Sequence, residues 1–205
     1  ETNKNYFRLN VKKSRKYLNK NNDTDIIKSI NSNINKCTDN NYVEIIELII
    51  NDINKNEHLL SFVIVGEGNQ KAWLQRKYSN LIKRGLVHFA GDIYDESKLS
   101  EYFKNAHLFV SPGNIGLACM HSLIYGTPVC THNNMNYQMP EAECLNESNS
   151  VLFNRGDVNS LTEAIKKGLL LKDSSETEDK CRNTILKTYT PKNQVEIIEN
   201  FLDSI

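Results

Sequence analysis

Several residue types that mark specialised proteins are scarce in this 205-residue sequence. It has four prolines and one tryptophan, and its nine glycines follow no period, which excludes a collagenous or proline-rich architecture. Charge of one sign is missing: 25 Lys+Arg stand against 25 Asp+Glu, a net charge of +0. That balance argues against binding nucleic acid through bulk positive charge. Long hydrophobic runs are absent as well. The longest, such as Leu59 to Val65, fall far short of the roughly 18–20 residues that a membrane-spanning helix needs. The five cysteines (Cys37, Cys119, Cys130, Cys144, Cys181) show no CxxC spacing, and the five histidines show no HxxxH or HxH spacing. They read as reduced thiols of a cytoplasmic protein without a disulfide framework, and no metal site is expected.

What is present is a globular composition, 39% hydrophobic and 24% charged. Its polarity comes from 28 asparagines, 11 of them in the first 41 residues. Residues 19–41 form an Asn-rich stretch broken only by Ile26-Ile27, Ile30 and Ile34, which reads either as one weak amphipathic helix or as a partly disordered surface insertion, with no function assigned. From Tyr42 onward, helical and strand-like segments alternate. Helical stripes are expected over Tyr42–Asn54, Asn69–Lys83, Glu96–Lys104, Gly116–Tyr125, Asn159–Leu171, Glu176–Thr188 and Lys192–Asp203. Short β-rich runs lie at Leu59–Val65, Leu86–Phe89, His107–Val110, Val129–Thr131 and Val151–Phe153. This rhythm predicts an α/β fold, a Rossmann-like doubly wound sheet with mostly parallel strands. In such a sheet ligands bind beyond the carboxyl ends of the strands. The loops to inspect are therefore Gly66–Asn69, Ala90–Tyr94, Ser111–Gly116 and Thr131–Glu143.

Two of these loops are glycine turns between a strand and a helix. Gly66-Glu67-Gly68-Asn69 lets the backbone approach a ligand, although Lys71 stands where a dinucleotide fingerprint has its third glycine. Ser111-Pro112-Gly113-Asn114-Ile115-Gly116 opens the next helix and would present N–H groups suited to a diphosphate.

The segment that follows, Gly116-Leu117 through His121 to Gly126-Thr127-Pro128-Val129, resembles the donor-site helix of GT-B fold retaining glycosyltransferases, in particular glycosyltransferase family 4 (group 1). Val63–Asn69, Val87–Ile93 and Ala106–Pro112 are similar to three further blocks of that family, in the same order. Tyr6–Lys13 resembles its N-terminal strand and basic pair, with Phe7 in place of a glycine. The resemblance implies a nucleotide-diphosphate sugar, UDP- or GDP-linked, as donor substrate, no cofactor and no metal. Donor contacts would come from Arg8, Lys13, Gly66, Gly68, Gly91, Asp92, Ile93, Gly113, Asn114, Ile115 and Gly116. It further implies retention of configuration and a glycan or lipid-linked acceptor.

The family's two carboxylates, eight positions apart, contact the donor sugar and the ribose. Here these positions fall on Gly113 and His121. An imidazole can still hydrogen-bond a ribose hydroxyl, and the missing carboxylate could come from Glu141, so His121 and Glu141 are the candidate catalytic residues. The structural alternatives are a satisfied histidine on a buried helix and a solvated loop acid. Residues 1–175 are expected to be the donor-binding domain and residues 176–205 a helical tail, whose stripe of Val195, Ile198, Phe201 and Leu202 reads as packed core. The chain begins at Glu1 and reads as a piece of a longer enzyme whose N-terminal acceptor domain is missing. Alone it would bind donor and transfer nothing, and peripheral membrane contact would belong to the missing half. Two rival readings are a degenerate, non-catalytic nucleotide-sugar-binding module and a nucleotide-sugar 2-epimerase-like enzyme.

Overall fold

The computed structural model describes residues 60–68, 71–171 and 175–204 and, at residues 8–13, the course of the backbone. The Asn-rich stretch 19–41 and the helix expected over Tyr42–Asn54 lie outside the described residues.

Among the described residues one sheet of six strands organises the fold. They are β1 (Arg8–Lys13), β2 (Leu60–Val65), β3 (Val87–Gly91), β4 (Leu108–Ser111), β5 (Val129–His132) and β6 (Ser150–Phe153), in the spatial order β3-β2-β1-β4-β5-β6. β3 runs parallel to β2, and β4, β5 and β6 run parallel to one another. β1 is antiparallel to both of its neighbours, the one departure from a parallel sheet.

The helices are α1 (Lys71–Lys77), α2 (Ser79–Lys83), α3 (Glu96–Asn105), α4 (Ala118–Ile124), α5 (Val158–Leu171), α6 (Ser175–Thr188) and α7 (Pro191–Leu202). The single helix expected over Asn69–Lys83 is two, divided at Tyr78, whose ring is fully buried. Asp95 starts α3 by accepting a hydrogen bond from the Lys98 N–H at 2.8 Å, an ordinary N-cap.

Strand alternation supplies two cores. In β4, Leu108 and Val110 join one cluster with Phe62, Ile64, Leu74, Phe153 and Ile165, while Phe109 joins another with Phe103, Ile115, Cys119 and Leu123. In β5, Cys130 points to the first cluster and Val129 to the second. A period of two with both faces buried is what a doubly wound sheet requires, and it explains why these strands read as continuous apolar runs. Gly168 lets α5 lie close to the sheet: a Cβ there would stand 2.7 Å from Leu108 Cδ1 and 3.0 Å from Val151 Cγ2. Gly126, at φ +78°, ends α4 in a conformation that L side chains avoid, and it faces Arg182 of α6.

The C-terminal region differs from expectation at its last helix. α6 packs on the sheet domain: Cys181 and Ile185 belong to the second core and Thr184 Oγ1 accepts from Asn149 Nδ2 at 3.1 Å. α7 has no buried residue, and Val195, Ile198, Phe201 and Leu202 are 53–66% exposed, so that stripe is not core among the described residues. A 3.6-residue apolar period announces a face that wants covering, whether or not the covering partner is at hand.

Candidate functional site

The carboxyl ends of β4 and β5 converge on the second glycine turn. Pro112 is buried at its start, and Gly113 is exposed, with nothing within 4 Å of the place a Cβ would take. Ile115 is 1% exposed and is held from both sides of its peptide. Its N–H donates to Gln138 Oε1 at 2.7 Å, and its C=O accepts from the Met139 N–H at 3.2 Å. Ile115 is therefore not a free donor for a ligand; its side chain fills the core and its nitrogen serves the next loop. The N–H groups of Asn114, Gly116 and Leu117 have no partner among the described residues.

Two short 3-10 turns follow β5: Met135–Tyr137 and Pro140–Cys144, the second carrying Glu141 and Glu143. Proline at the start of the second turn presets its backbone and needs no N–H partner there. Cys119 of α4 ties this turn down. Its thiol donates to the Glu141 carbonyl at 3.3 Å and lies 3.6 Å from Cys144 Sγ. The hydrogen bond shared with Cys144, together with burial, pushes the Cys119 thiol well above its ordinary range, so it remains a donor at neutral pH.

Glu143 is exposed, but Glu141 turns inward. Its Oε2 is shut off from water without any hydrogen-bond partner and lies 3.9 Å from the Cβ position of Gly116. His121, one turn into α4, has the same property: its Nδ1 is buried and unpartnered. Among the described residues these are the two buried side-chain polar atoms without a partner. Buried polar groups are nearly always satisfied, and leaving one unmade costs about 1–3 kcal/mol, so an unpaired group in a native fold calls for an explanation. Gly116 and Met139 lie beside Glu141. Met139 Cγ is 3.6 Å from the Gly116 Cβ position, so a Cβ there would sit in ordinary contact with Met139 and Glu141.

The first glycine turn is paired at both ends. The Gly66 N–H donates to the Gly91 C=O at 2.9 Å, and the Lys71 N–H donates to the Gly68 C=O at 3.1 Å. Glu67 pairs with Lys71 and lies 3.1 Å from the Cβ position of Gly91, whose φ is +73°. Asp92 is exposed and Ile93 packs against the second core. An open groove of about 620 Å³ runs beside this turn, lined by Asp92, Ile93, Tyr94, Lys98, Tyr102 and Asn105 among others. His121 and Glu141 are not part of its lining.

The basic pair expected at the N-terminus is not brought together. Arg8 is in register with Val65, at the carboxyl end of β2, while Lys13 is in register with Leu60 at the opposite edge of the sheet. The antiparallel course of β1 makes this separation. Among the described residues no group of three or more His, Cys, Asp or Glu side chains is placed to hold a metal ion, and no helix is long and apolar enough to cross a membrane. Sequence reading assigned no role to Gln138. Its signal, a lone glutamine three residues before Glu141, carries no periodicity, and only the fold shows the hydrogen bonds it makes.

Comparison with known proteins follows the same lines. The sequence pattern of the family described as Glycosyl transferases group 1 matches residues 11–188. No curated protein matches the chain. Among solved structures, a mutant of S. aureus TarM in complex with Fondaparinux, alpha-GlcNAc-glycerol and UDP is similar at TM-score 0.59 and 21% identity, over 78% of this chain and 31% of that one. A glycosyltransferase from Rickettsia africae is similar at TM-score 0.56 and 13% identity, over 78% of this chain and 45% of that one. Sucrose-phosphate synthase from Thermosynechococcus elongatus is similar at TM-score 0.51 and 20% identity, over 69% of this chain and 38% of that one. At these identities the likeness is one of fold, and the chain spans less than half the length of each.

Proposed function

Because the chain belongs to the group 1 glycosyl transferases, we propose that it is the donor-binding half of a glycosyltransferase, with Glu141 and His121 as its contacts to a nucleotide-diphosphate sugar. The observation that supports this reading most is the pair of orphaned atoms, Glu141 Oε2 and His121 Nδ1. A carboxylate oxygen without a donor and an imidazole nitrogen without a partner are complementary to sugar hydroxyls, which both donate and accept. Glu141 would take the sugar and His121 the ribose, in place of the two carboxylates of the resembled family. The base would occupy the groove beside Gly91, Asp92 and Ile93, and the diphosphate would face the free N–H groups of Asn114 and Gly116.

Breaking the bond between anomeric carbon and diphosphate gathers negative charge on the departing phosphate. Fixed donors aimed at such charge contribute about 2.7–4 kcal/mol each. The turn amides and Arg8, at the carboxyl edge of the sheet, would act there without a metal. The acceptor half, outside these 205 residues, would supply the glycan or lipid-linked acceptor and any contact with a membrane face. Retention of configuration and a cytoplasmic setting belong to the same proposal.

UDP is the first nucleotide to try, since the similar TarM structure holds it. Calorimetric titration of this chain with UDP, GDP and their sugars at up to millimolar concentration tests the reading. Saturable binding of one nucleotide series is expected, with no sugar transfer by this chain alone. No heat with any of them would contradict the proposal.

A further inference from the structure

Glu141 presents a problem that its own side chain does not solve: its buried Oε2 has no hydrogen bond to hold it in place. The order must come from its neighbours, and the densest polar contacts nearby are those of Gln138. Gln138 Oε1 accepts from the Ile115 N–H at 2.7 Å. Gln138 Nε2 donates to the His132 C=O at 2.8 Å and to Thr131 Oγ1 at 3.0 Å, and it lies 3.1 Å from His132 Nδ1. Thr131 Oγ1 in turn donates to the Ser111 C=O at 2.9 Å.

The chemistry fixes the orientation of this amide. A backbone N–H only donates and a backbone C=O only accepts, so oxygen must face Ile115 and nitrogen must face His132. A reversed amide would set two donors together at Ile115 and two acceptors together at His132. One side chain thus joins the last residues of β4 and β5 to the turn that opens α4. The next residue adds a second clasp, because the Met139 N–H donates to the same Ile115 through its C=O. Pro140 then presets the backbone and Glu141 follows.

Resting on the donor-binding reading above, we infer that Gln138 is a positioning residue for that site: it clamps the start of the Pro140–Cys144 turn to Ile115, and so holds the Glu141 carboxylate against Gly116, where it meets the sugar of the donor. Gln138 touches no substrate in this arrangement. It acts through Glu141, so its removal affects the sugar and spares the nucleotide.

The test is a double-mutant cycle in this chain, with Gln138→Met, Glu141→Ala and the pair. UDP and a panel of UDP-glucose, UDP-galactose and UDP-N-acetylglucosamine are titrated into each protein, and melting is followed in parallel. Each single substitution is expected to weaken the best UDP-sugar by about tenfold while leaving UDP within about twofold. The double variant should be no weaker than Glu141→Ala by more than about twofold, because both remove one contact. Equal losses for UDP and UDP-sugar, or losses that add fully in the double variant, would overturn the positioning role. Absence of binding by the unsubstituted chain would instead sink the donor reading itself, a distinct result. Gln138→Glu keeps the bond from Ile115 and loses those to His132, so it should retain more sugar affinity than Gln138→Met. If Gln138→Met does not fold, the cycle of Gln138→Glu with Glu141→Ala decides by the same criteria.

Discussion

The two glycine turns, one after β2 and one after β4, both join a strand to a helix but differ in how the carboxylate beside each is paired. At Gly66–Gly68 the Gly66 N–H pairs with the Gly91 C=O, the Gly68 C=O accepts from the Lys71 N–H, and the Glu67 carboxylate pairs with Lys71. At Gly113–Gly116 the core takes Ile115, Gln138 takes its nitrogen, and two polar atoms, Glu141 Oε2 beside Gly116 and His121 Nδ1 in the helix that follows, are left buried and alone. The difference teaches that glycine at a strand end marks room for a ligand, whereas unmet hydrogen-bonding capacity marks a demand for one. On that ground the proposed donor contacts are placed at the second turn.

The largest expected effect breaks this comparison at its sharper end. Glu141→Ala should lower the affinity for a UDP-sugar by about tenfold or more, since a hydrogen bond to a charged group is worth about 1.5–3 kcal/mol. The same change should leave the melting temperature unchanged or raise it, because Oε2 has no partner to lose. A fall in melting temperature with unchanged sugar affinity would show a structural acid instead.

His121→Ala should weaken UDP itself, by up to about tenfold, as befits one neutral hydrogen bond of about 0.5–1.5 kcal/mol. Comparing uridine-bearing ligands with their 2′-deoxy forms by titration checks whether the ribose is what His121 reads. An unchanged ratio between the two forms in the variant would remove His121 from that role.

A third test concerns the sheet beneath the second turn. Burial holds the Cys130 thiol well above its ordinary 9.0. Below that value both folded and unfolded chains keep the proton. Above it the unfolded chain releases the proton while the folded chain retains it, so stability falls as pH rises, by about 1.4 kcal/mol per pH unit for one such group. Urea unfolding at pH 8 and pH 10 measures the slope. Cys130→Ala should reduce it, and an undiminished slope would mean that Cys130 is not kept protonated by the fold.

The smallest effect belongs to the first turn. Glu67→Gln removes an ion pair whose side chains are 44% and 25% exposed, and it should cost about 0.2–1 kcal/mol of stability with no change in donor affinity. A large loss of UDP affinity in that variant would shift the binding toward Gly66–Gly68 and erase the contrast between the turns.

Much of the scaffold was legible in the sequence because burial on both faces of a strand leaves an unmistakable apolar run. Leu60–Val65, Leu108–Ser111 and Val129–His132 fall within a residue or two of where their β-branched and aromatic content puts them. The direction of β1 was not legible, since alternation in Arg8–Lys13 is the same read either way along the sheet, and pairing direction is a tertiary property. α7 misled for a related reason: periodicity reports that a face is apolar and is silent on what covers it. At the site, His121 could be nominated from its position in a recognisable motif, and Glu141 only as an acid in a loop beyond a strand end. The role of Ile115 as an anchor and of Gln138 as its partner could not, because a hydrogen bond across 23 residues leaves no local trace.

The most direct measurement is a crystal structure of this chain soaked with UDP and with the UDP-sugar that binds best. The account predicts Glu141 Oε2 and His121 Nδ1 within about 3 Å of hydroxyl oxygens of the bound donor, sugar and ribose respectively. A donor seated elsewhere, with both atoms still unpartnered, would contradict it.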